Sequence, residues 1–299
     1  MFIVAHRNFF IGLSVFFTAL ALAAISIWGL RFGIDFTGGS LLEVEYAGET
    51  RLGINEVKEA LASAGEFGAD AIVQPTGEMG YIIRTGTLSS EDHEKILSAL
   101  SGEGKRNITE KRFDSVGPVI GDELRRKAWV AIAAVIIAIV LFIAFAFRKV
   151  SDPVPSWQYG VITLAALLHD VIIPTGAAAF LGNYYGFQAD VLFVTALLTI
   201  LGFSVHDTIV VFDRVRENLK LKLYGTFAET VGKSLEQTFM RSVNTSLTVV
   251  LVLAALLILG PASVFMFSLV LLIGIIAGTY SSIFLATPLL LVAEKLKRK

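Results

Sequence analysis

Asp170 and Asp207 each follow a histidine, His169 and His206, inside runs of otherwise apolar residues. A charge at the centre of a membrane-spanning helix costs about 2.5–3.5 kcal/mol on insertion scales, so such a group faces a bundle interior or water and implies a function. The strongest case is Asp207, in Gly202-Phe203-Ser204-Val205-His206-Asp207-Thr208, about one and a half turns above the inner end of its helix. Asp213, Arg214 and Arg216 follow it at the interface. Arg241 stands at the foot of the next apolar run, below the polar stripe Ser242, Asn244, Thr245, Ser246 and Thr248. By residue count Asp207 and Arg241 reach similar depths, so antiparallel neighbours can bring them together. A carboxylate beside a permanently charged guanidinium can carry protons, because protonating the acid breaks the pair and frees one helix to shift against the other. The same pair also reads as a buried structural salt bridge that fixes helix register, and Arg241 can snorkel to the interface. Asp170 lies deeper and demands a partner. Histidine as a residue type changes charge near neutral pH, so His169 either relays protons or packs two helices as a neutral hydrogen-bonded ring.

Other chemistry is excluded by composition. The chain has no cysteine, which removes disulfides, thiolate metal sites and cysteine nucleophiles. Neither a nucleophile–base constellation nor a phosphate loop nor a metal-ligand spacing occurs, so no cofactor is expected and an intramembrane enzyme is disfavoured. A net charge of −1 gives no nucleic-acid footprint. Gly274, Gly278 and Ser282, with Ala277 and Ser281 beside them, form a small-residue face suited to close helix packing or to docking a partner chain. Pro174 and Pro288 are expected to kink their helices.

These residues need helices to hold them. Charged residues make up 17% of the 299, against about 25% in soluble domains, which points to lipid as the main solvent. Six runs reach the roughly 20 apolar residues that a bilayer requires: Phe9 to Leu30, Ala128 to Phe147, Tyr159 to Leu181, Val191 to Phe212, Ser242 to Leu259 and Val264 to Val292. The first is too long for a cleaved signal and reads as an anchor. Arg7, Arg148, Lys149, Arg214, Arg216, Lys220, Lys222, Lys233, Arg241 and Lys295 to Lys299 fall on one side, whereas the loops Gly182 to Gln188 and Gly260 to Ala262 carry no Lys or Arg. The positive-inside rule places both termini in the cytoplasm. The segment of about 213–241, with Glu217 to Gln237 at its heart, reads as an amphipathic helix lying on the cytoplasmic face.

Residues 31–126 form an exported domain between residues 1–30 and the remaining spans in 127–299. Leu41, Val44 and Tyr46 alternate with Glu43 and Glu45 as a strand. Asn55 caps a helix holding Val57, Ala60 and Leu61 that Gly65 closes. Ala71 to Gln74 and Tyr81 to Arg84 are short strands, Ser89 or Ser90 caps a helix with Ile96, Leu97 and Leu100, and Ile108 to Val116 is a last strand. This βαββαβ order is the split ferredoxin-like arrangement. His93 is expected to be solvated on its helix.

Several blocks resemble one family. Asp35-Phe36-Thr37-Gly38-Gly39 resembles the opening signature of the SecD/SecF protein-export proteins. Ser115-Val116-Gly117-Pro118-Val119-Ile120-Gly121-Asp122 resembles their next block, and Ser204 to Asn218, with Asp213 and Arg214, the SecF form of the fourth-span signature. Ser234, Gln237-Thr238, Arg241-Ser242 and Asn244-Thr245-Ser246 match the following block, and Ala277 to Phe284 the last. The resemblance covers nearly the whole chain, in order. It implies a polytopic α-helical membrane protein with an RND-type half-bundle of six helices and a small α+β ferredoxin-like domain between helices one and two. It further implies pairing with SecD, association with the SecYEG channel along with YajC and YidC, and use of a proton or sodium gradient to draw preproteins outward after the SecA stage. Asp207 then matches the carboxylate of ion passage and Arg241 its partner, with His206 standing where many members carry asparagine. The competing readings are a small-molecule RND exporter, whose chains usually have twelve spans, and a scaffold that carries no ions.

Overall fold

Hydropathy selects the helices. The computed structural model describes residues 2–48, 51–65, 68, 71–102, 104–148 and 153–297. Among these, six helices are long and apolar enough to cross a membrane. They are α1 (Arg7–Trp28), α4 (Pro118–Ala146), α5 (Ser156–Tyr185), α6 (Val191–Lys220), α7 (Phe227–Leu259) and a composite last helix. The composite consists of α8 (Ala262–Ser281), a π-helical turn (Ser282–Ala286) and α9 (Thr287–Lys297). Lys149, Arg298 and Lys299, which were counted for orientation, lie outside the described residues.

The chain divides into two units, one made of residues Met1–Arg31 and Val130–Lys299, the other of Phe32–Trp129. In the helical unit α5, α6 and the last helix hold most of the buried positions, whereas α1, α4 and α7 leave apolar side chains such as Phe16, Leu20, Ile137, Leu141 and Leu251 exposed, as lipid-facing helices do. Pro174 sits inside one continuous helix. Pro288 instead follows the π turn: it has no N–H for the carbonyl four residues back, and the Thr287 hydroxyl donates to the Ser282 carbonyl at 2.9 Å.

The single amphipathic helix expected over Glu217 to Gln237 is not formed. α6 runs on to Lys220, a turn covers 221–226 with Lys222 at φ 50°, and α7 starts at Phe227. The Thr226 hydroxyl accepts from the Glu229 N–H at 3.1 Å, an N-cap that restarts the helix and splits the segment. Asn218 then ties the two helices by donating to Ser234 (2.8 Å) and Gln237 (3.1 Å).

The second unit holds β1 (Gly39–Tyr46), α2 (Ile54–Ala64), β2 (Ile72–Thr76), β3 (Gly80–Thr85), α3 (Ser90–Ser101) and β4 (Ile108–Val116). Its sheet runs β2-β3-β1-β4 with every neighbour antiparallel, the ferredoxin-like order. Leu42, Val44, Tyr46, Tyr81 and Ile83 pack on Val57, Leu61, Ile96 and Leu100, and full burial of each large side chain contributes about 1.5–3 kcal/mol. Three expectations are corrected here. The inward residue at the head of β1 is Leu42, with Leu41 on the other face, because side chains alternate and Val44 and Tyr46 set the phase. Gly53 rather than Asn55 caps α2, its N–H donating to Glu56 at 2.9 Å. His93 is not simply solvated: its ring stacks on Phe113 and its Nε2 lies 3.1 Å from Glu110.

Candidate functional site

Asp207 is 2% exposed, in the middle of α6. Its Oδ2 accepts from Ser246 of α7 at 3.3 Å, and the Thr279 hydroxyl of α8 donates in turn to Ser246 at 2.6 Å. Its Oδ1 lies 3.7 Å from Nδ1 of His206, whose side chain is largely exposed. Ser246 has one proton and two acceptors, the carboxylate and the Ser242 carbonyl at 2.9 Å. A serine hydroxyl donates once and accepts twice. It can therefore donate to a charged Asp207, or turn to Ser242 and accept from a protonated one. The site accommodates both states without moving a helix.

Arg241 makes no ion pair with Asp207 within 4 Å; the partner at Oδ2 is Ser246. Arg241 is exposed and makes no ion pair within 4 Å among the described residues. The reason is helical geometry. At 3.6 residues per turn, Arg241 lies about 140° around α7 from Ser246, and the Ser242–Ser246 face is the buried one. Arg241, Asn244 and Thr248 share the outward side, whereas Thr245 donates to the Arg241 carbonyl at 2.9 Å. The polar stripe read from the sequence thus divides into two faces.

Asp170, on α5, is fully buried. Its Oδ1 lies 2.7 Å from Nδ1 of His169, and its Oδ2 accepts from Ser281 at 2.7 Å and from Ser204. Ser204 and Ser281 come from α6 and α8, so three helices close on one carboxylate. Beside it Thr208 of α6 and Ser282 share a hydrogen bond of 2.9 Å. A repeat of four residues explains how α6 and the last helix come this close. Gly274 lies against Ile200, Gly278 against Ser204 and Ser282 against Thr208. A methyl group on Gly278 would stand 3.0 Å from Cβ of Ser204. The small-residue face is used within the bundle.

The interfacial motif residues pair along their own helix. Asp213 bonds Arg216, and Arg214 bonds Glu217 at 2.6 Å. The two glycine motifs meet inside the second unit. Gly38 (φ 73°) ends the helical turn Ile34–Thr37 that contains Asp35, and Gly39 (φ 118°) opens β1. A Cβ on Gly38 would lie 2.8 Å from Cα of Pro118, and one on Gly121 would lie 2.8 Å from the Gly38 nitrogen. Only glycine allows both the conformations and the approach. Nothing within 4 Å crowds Gly117.

Sequence reasoning named Ser246 in the polar stripe and Ser281 and Ser282 on the small-residue face, but it paired none of these hydroxyls, nor Ser204, Thr208 and Thr279, with the partners they meet. Their spacing of four, as in Ser204/Thr208 and Ser242/Ser246, was the available signal.

Comparison with known proteins places these features in context. Residues 95–296 match the family described as protein export membrane protein SecD/SecF, C-terminal, and residues 24–48 match the SecD/SecF GG motif. The chain is 44% identical over 298 residues to the protein translocase subunit SecF of Thermobaculum terrenum, covering 96% of this chain and 92% of the relative. It is 34% identical over 287 residues to the SecF subunit of Pseudomonas aeruginosa, covering 95% and 89%. The crystal structure of SecDF, a translocon-associated membrane protein from Thermus thermophilus, superposes with a TM-score of 0.83 at 32% identity. That match covers 97% of this chain and 38% of the solved chain, so this chain spans well under half of that protein.

Proposed function

This chain belongs to the SecD/SecF protein-export family, and from that premise we propose that it works as a SecF-type subunit that pairs with SecD and uses an ion gradient to promote preprotein translocation through SecYEG after the SecA-driven stage. The termini face the cytoplasm and residues 31–126 the exported side, in the plasma membrane, or the inner membrane where there are two. The Asp207–Ser246 contact carries this reading. A buried carboxylate whose partner hydroxyl serves either protonation state is suited to binding and releasing an ion once per cycle. His206, exposed beside it, offers a way in for protons. Asp170 and His169 form the deeper part of the same ion-coupling set.

The outward face of α7 supports the partnership with SecD. Arg241 and Asn244 are exposed on a helix that otherwise reads as lipid-facing. A guanidinium on that face calls for cover, and a second helical subunit bearing an acid supplies it. Arg241 then acts across the subunit boundary. YajC and YidC are expected in the same assembly as SecYEG.

The test is gradient-dependent preprotein translocation into membrane vesicles with this chain and SecD, native against Asp207→Asn at matched expression. Loss of the gradient-dependent part with assembly intact is expected. Full activity would leave the chain a scaffold.

A further inference from the structure

We propose that Nε2 of His169 is a second proton-binding site in this chain, held ready by an Asp170 carboxylate that stays charged. The inference deepens the ion-coupling reading above, and its evidence does not depend on what Asp207 does.

Asp170 Oδ1 faces His169 Nδ1 at 2.7 Å, while Oδ2 receives the Ser204 hydroxyl and, at 2.7 Å, the Ser281 hydroxyl. Asp170 accepts from the Ser204 hydroxyl, and Ser281, whose other acceptor is the Gly278 carbonyl at 3.1 Å, turns to Oδ2 as the nearer of its two, which is the pattern a charged carboxylate sets up. The Nδ1 contact completes the pattern when that nitrogen carries its proton. A neutral imidazole protonated at Nδ1 has its lone pair on Nε2. In this structure Nε2 belongs to a residue 3% exposed and has no hydrogen-bond partner. It is a basic atom left free at the edge of a negative site.

Among the described residues Asp170 is the acid within ion-pair distance of the ring, no Lys or Arg pairs with Asp170 within 4 Å, and the next titratable groups on α6 are His206 and Asp207, two and three residues beyond Ser204. On its own helix His169 faces Asp170. From α8, Tyr280 stacks its ring 6.2 Å away and donates its hydroxyl to the Phe10 carbonyl at 3.1 Å. α1 contributes Ser14, whose hydroxyl donates to the same Phe10 carbonyl at 3.1 Å, and its charged residue, Arg7, lies at its first position. α6 contributes Ser204. Without an added proton the dyad holds one buried negative charge. A proton from water that joins the Nε2 lone pair converts it into a neutral imidazolium–carboxylate pair, with no electrons exchanged and no bond broken in the protein. A hydrogen-bonded pair is far better tolerated in low dielectric than a lone anion. Asp170 is thus a positioning residue that fixes the tautomer and balances the charge, and His169 is the group that takes the proton.

The experiment is a histidine ¹⁵N NMR titration of the full chain with SecD in lipid nanodiscs from pH 8 to pH 5, the His169 signals being identified by their loss in His169→Gln. The expected result is a neutral ring protonated at Nδ1 at the alkaline end and an imidazolium at the acid end, with proton affinity falling at least about tenfold in Asp170→Asn. A ring protonated at Nε2 at pH 8, a ring that stays neutral to pH 5, or an unchanged affinity in Asp170→Asn overturns the proposal. If Asp170→Asn does not fold, the native tautomer and titration decide alone. Asp207→Asn separates the two readings: normal export in that variant with a titrating His169 removes the role of Asp207 and leaves this site standing.

Discussion

The Ser246 hydroxyl stands 3.3 Å from Oδ2 of Asp207 and is itself the acceptor of a 2.6 Å hydrogen bond from Thr279. The buried acid therefore accepts directly from a hydroxyl, with His206 beside it at 3.7 Å, and has no guanidinium within 4 Å among the described residues. Removing that hydroxyl leaves the carboxylate short of a donor in one state and of an acceptor in the other. Ser246→Ala is expected to slow gradient-driven export several-fold while leaving the gradient-independent part intact, and Ser246→Thr to restore most of it. Translocation into vesicles with and without an uncoupler checks both.

Arg241 gives the opposite expectation. Since its side chain is exposed and makes no ion pair within 4 Å among the described residues, Arg241→Ala should leave the thermal stability of the isolated chain within about 0.5 kcal/mol of native, as surface substitutions do. Co-purification with SecD and gradient-driven export should both fall. Loss of stability in the isolated chain would place the guanidinium inside this subunit after all.

Helix packing can be tested at two glycines. A methyl group on Gly176 would sit 2.6 Å from Cα of Ala21, backbone that cannot step aside, whereas nothing lies within 4 Å of a methyl group on Gly12. Gly176→Ala is expected to destabilise by about 1–3 kcal/mol, and Gly12→Ala to be neutral or slightly stabilising. Unfolding of the purified chain in mixed micelles separates them.

At the glycine motif, Gly38→Ala combines a left-handed backbone with a collision against Pro118. It should weaken the second unit by at least about 1 kcal/mol, seen as faster hydrogen exchange in β1. Gly77 also has positive φ, but open space around it. Gly77→Asn should be tolerated, because asparagine enters that conformation readily.

Alkaline pH tests the core of the second unit. Burial pushes the Tyr46 phenol up to about 12, and its hydroxyl reaches the Leu100 carbonyl at 3.4 Å. The folded state thus holds this proton more tightly than the unfolded chain, whose tyrosines titrate near 10. The associated stability is complete below pH 10 and declines as the pH rises toward 12. Tyr46→Phe should flatten that decline, as followed by hydrogen exchange within the sheet.

Much of this was legible in the residues. Apolar length announced six helices, because lipid leaves the backbone few alternatives, and the alternation in β1 announced a half-buried strand. The phase of that strand was harder, since Leu41 and Leu42 are chemically alike and only the helices above the sheet choose between them. Asp170 and Asp207 stood out because ionisable groups in apolar runs are rare. Their partners did not stand out. Depth counted in residues places Arg241 level with Asp207, but depth is one coordinate of a helix and azimuth is the other. Rotation about α7 is decided by packing against α6 and α8, which no single segment encodes. The hydroxyls were hidden for a related reason: serine and threonine are at home in spanning helices when bonded to their own backbone, and only the fold reveals which of them also reach across.

The seam of Gly274, Gly278 and Ser282 against Ile200, Ser204 and Thr208 repeats every four residues on both sides. Such a seam is like a ruler with evenly spaced notches: a slide of one turn, about 5.4 Å, would set Gly278 against Ile200 and Ser282 against Ser204, again small residues facing the same row. Shape alone distinguishes one notch from the next only weakly. The mark that fixes the zero is polar, Ser281 on Asp170 and Ser282 on Thr208, so the hydrogen bonding of a buried carboxylate bears directly on where one helix stands along another.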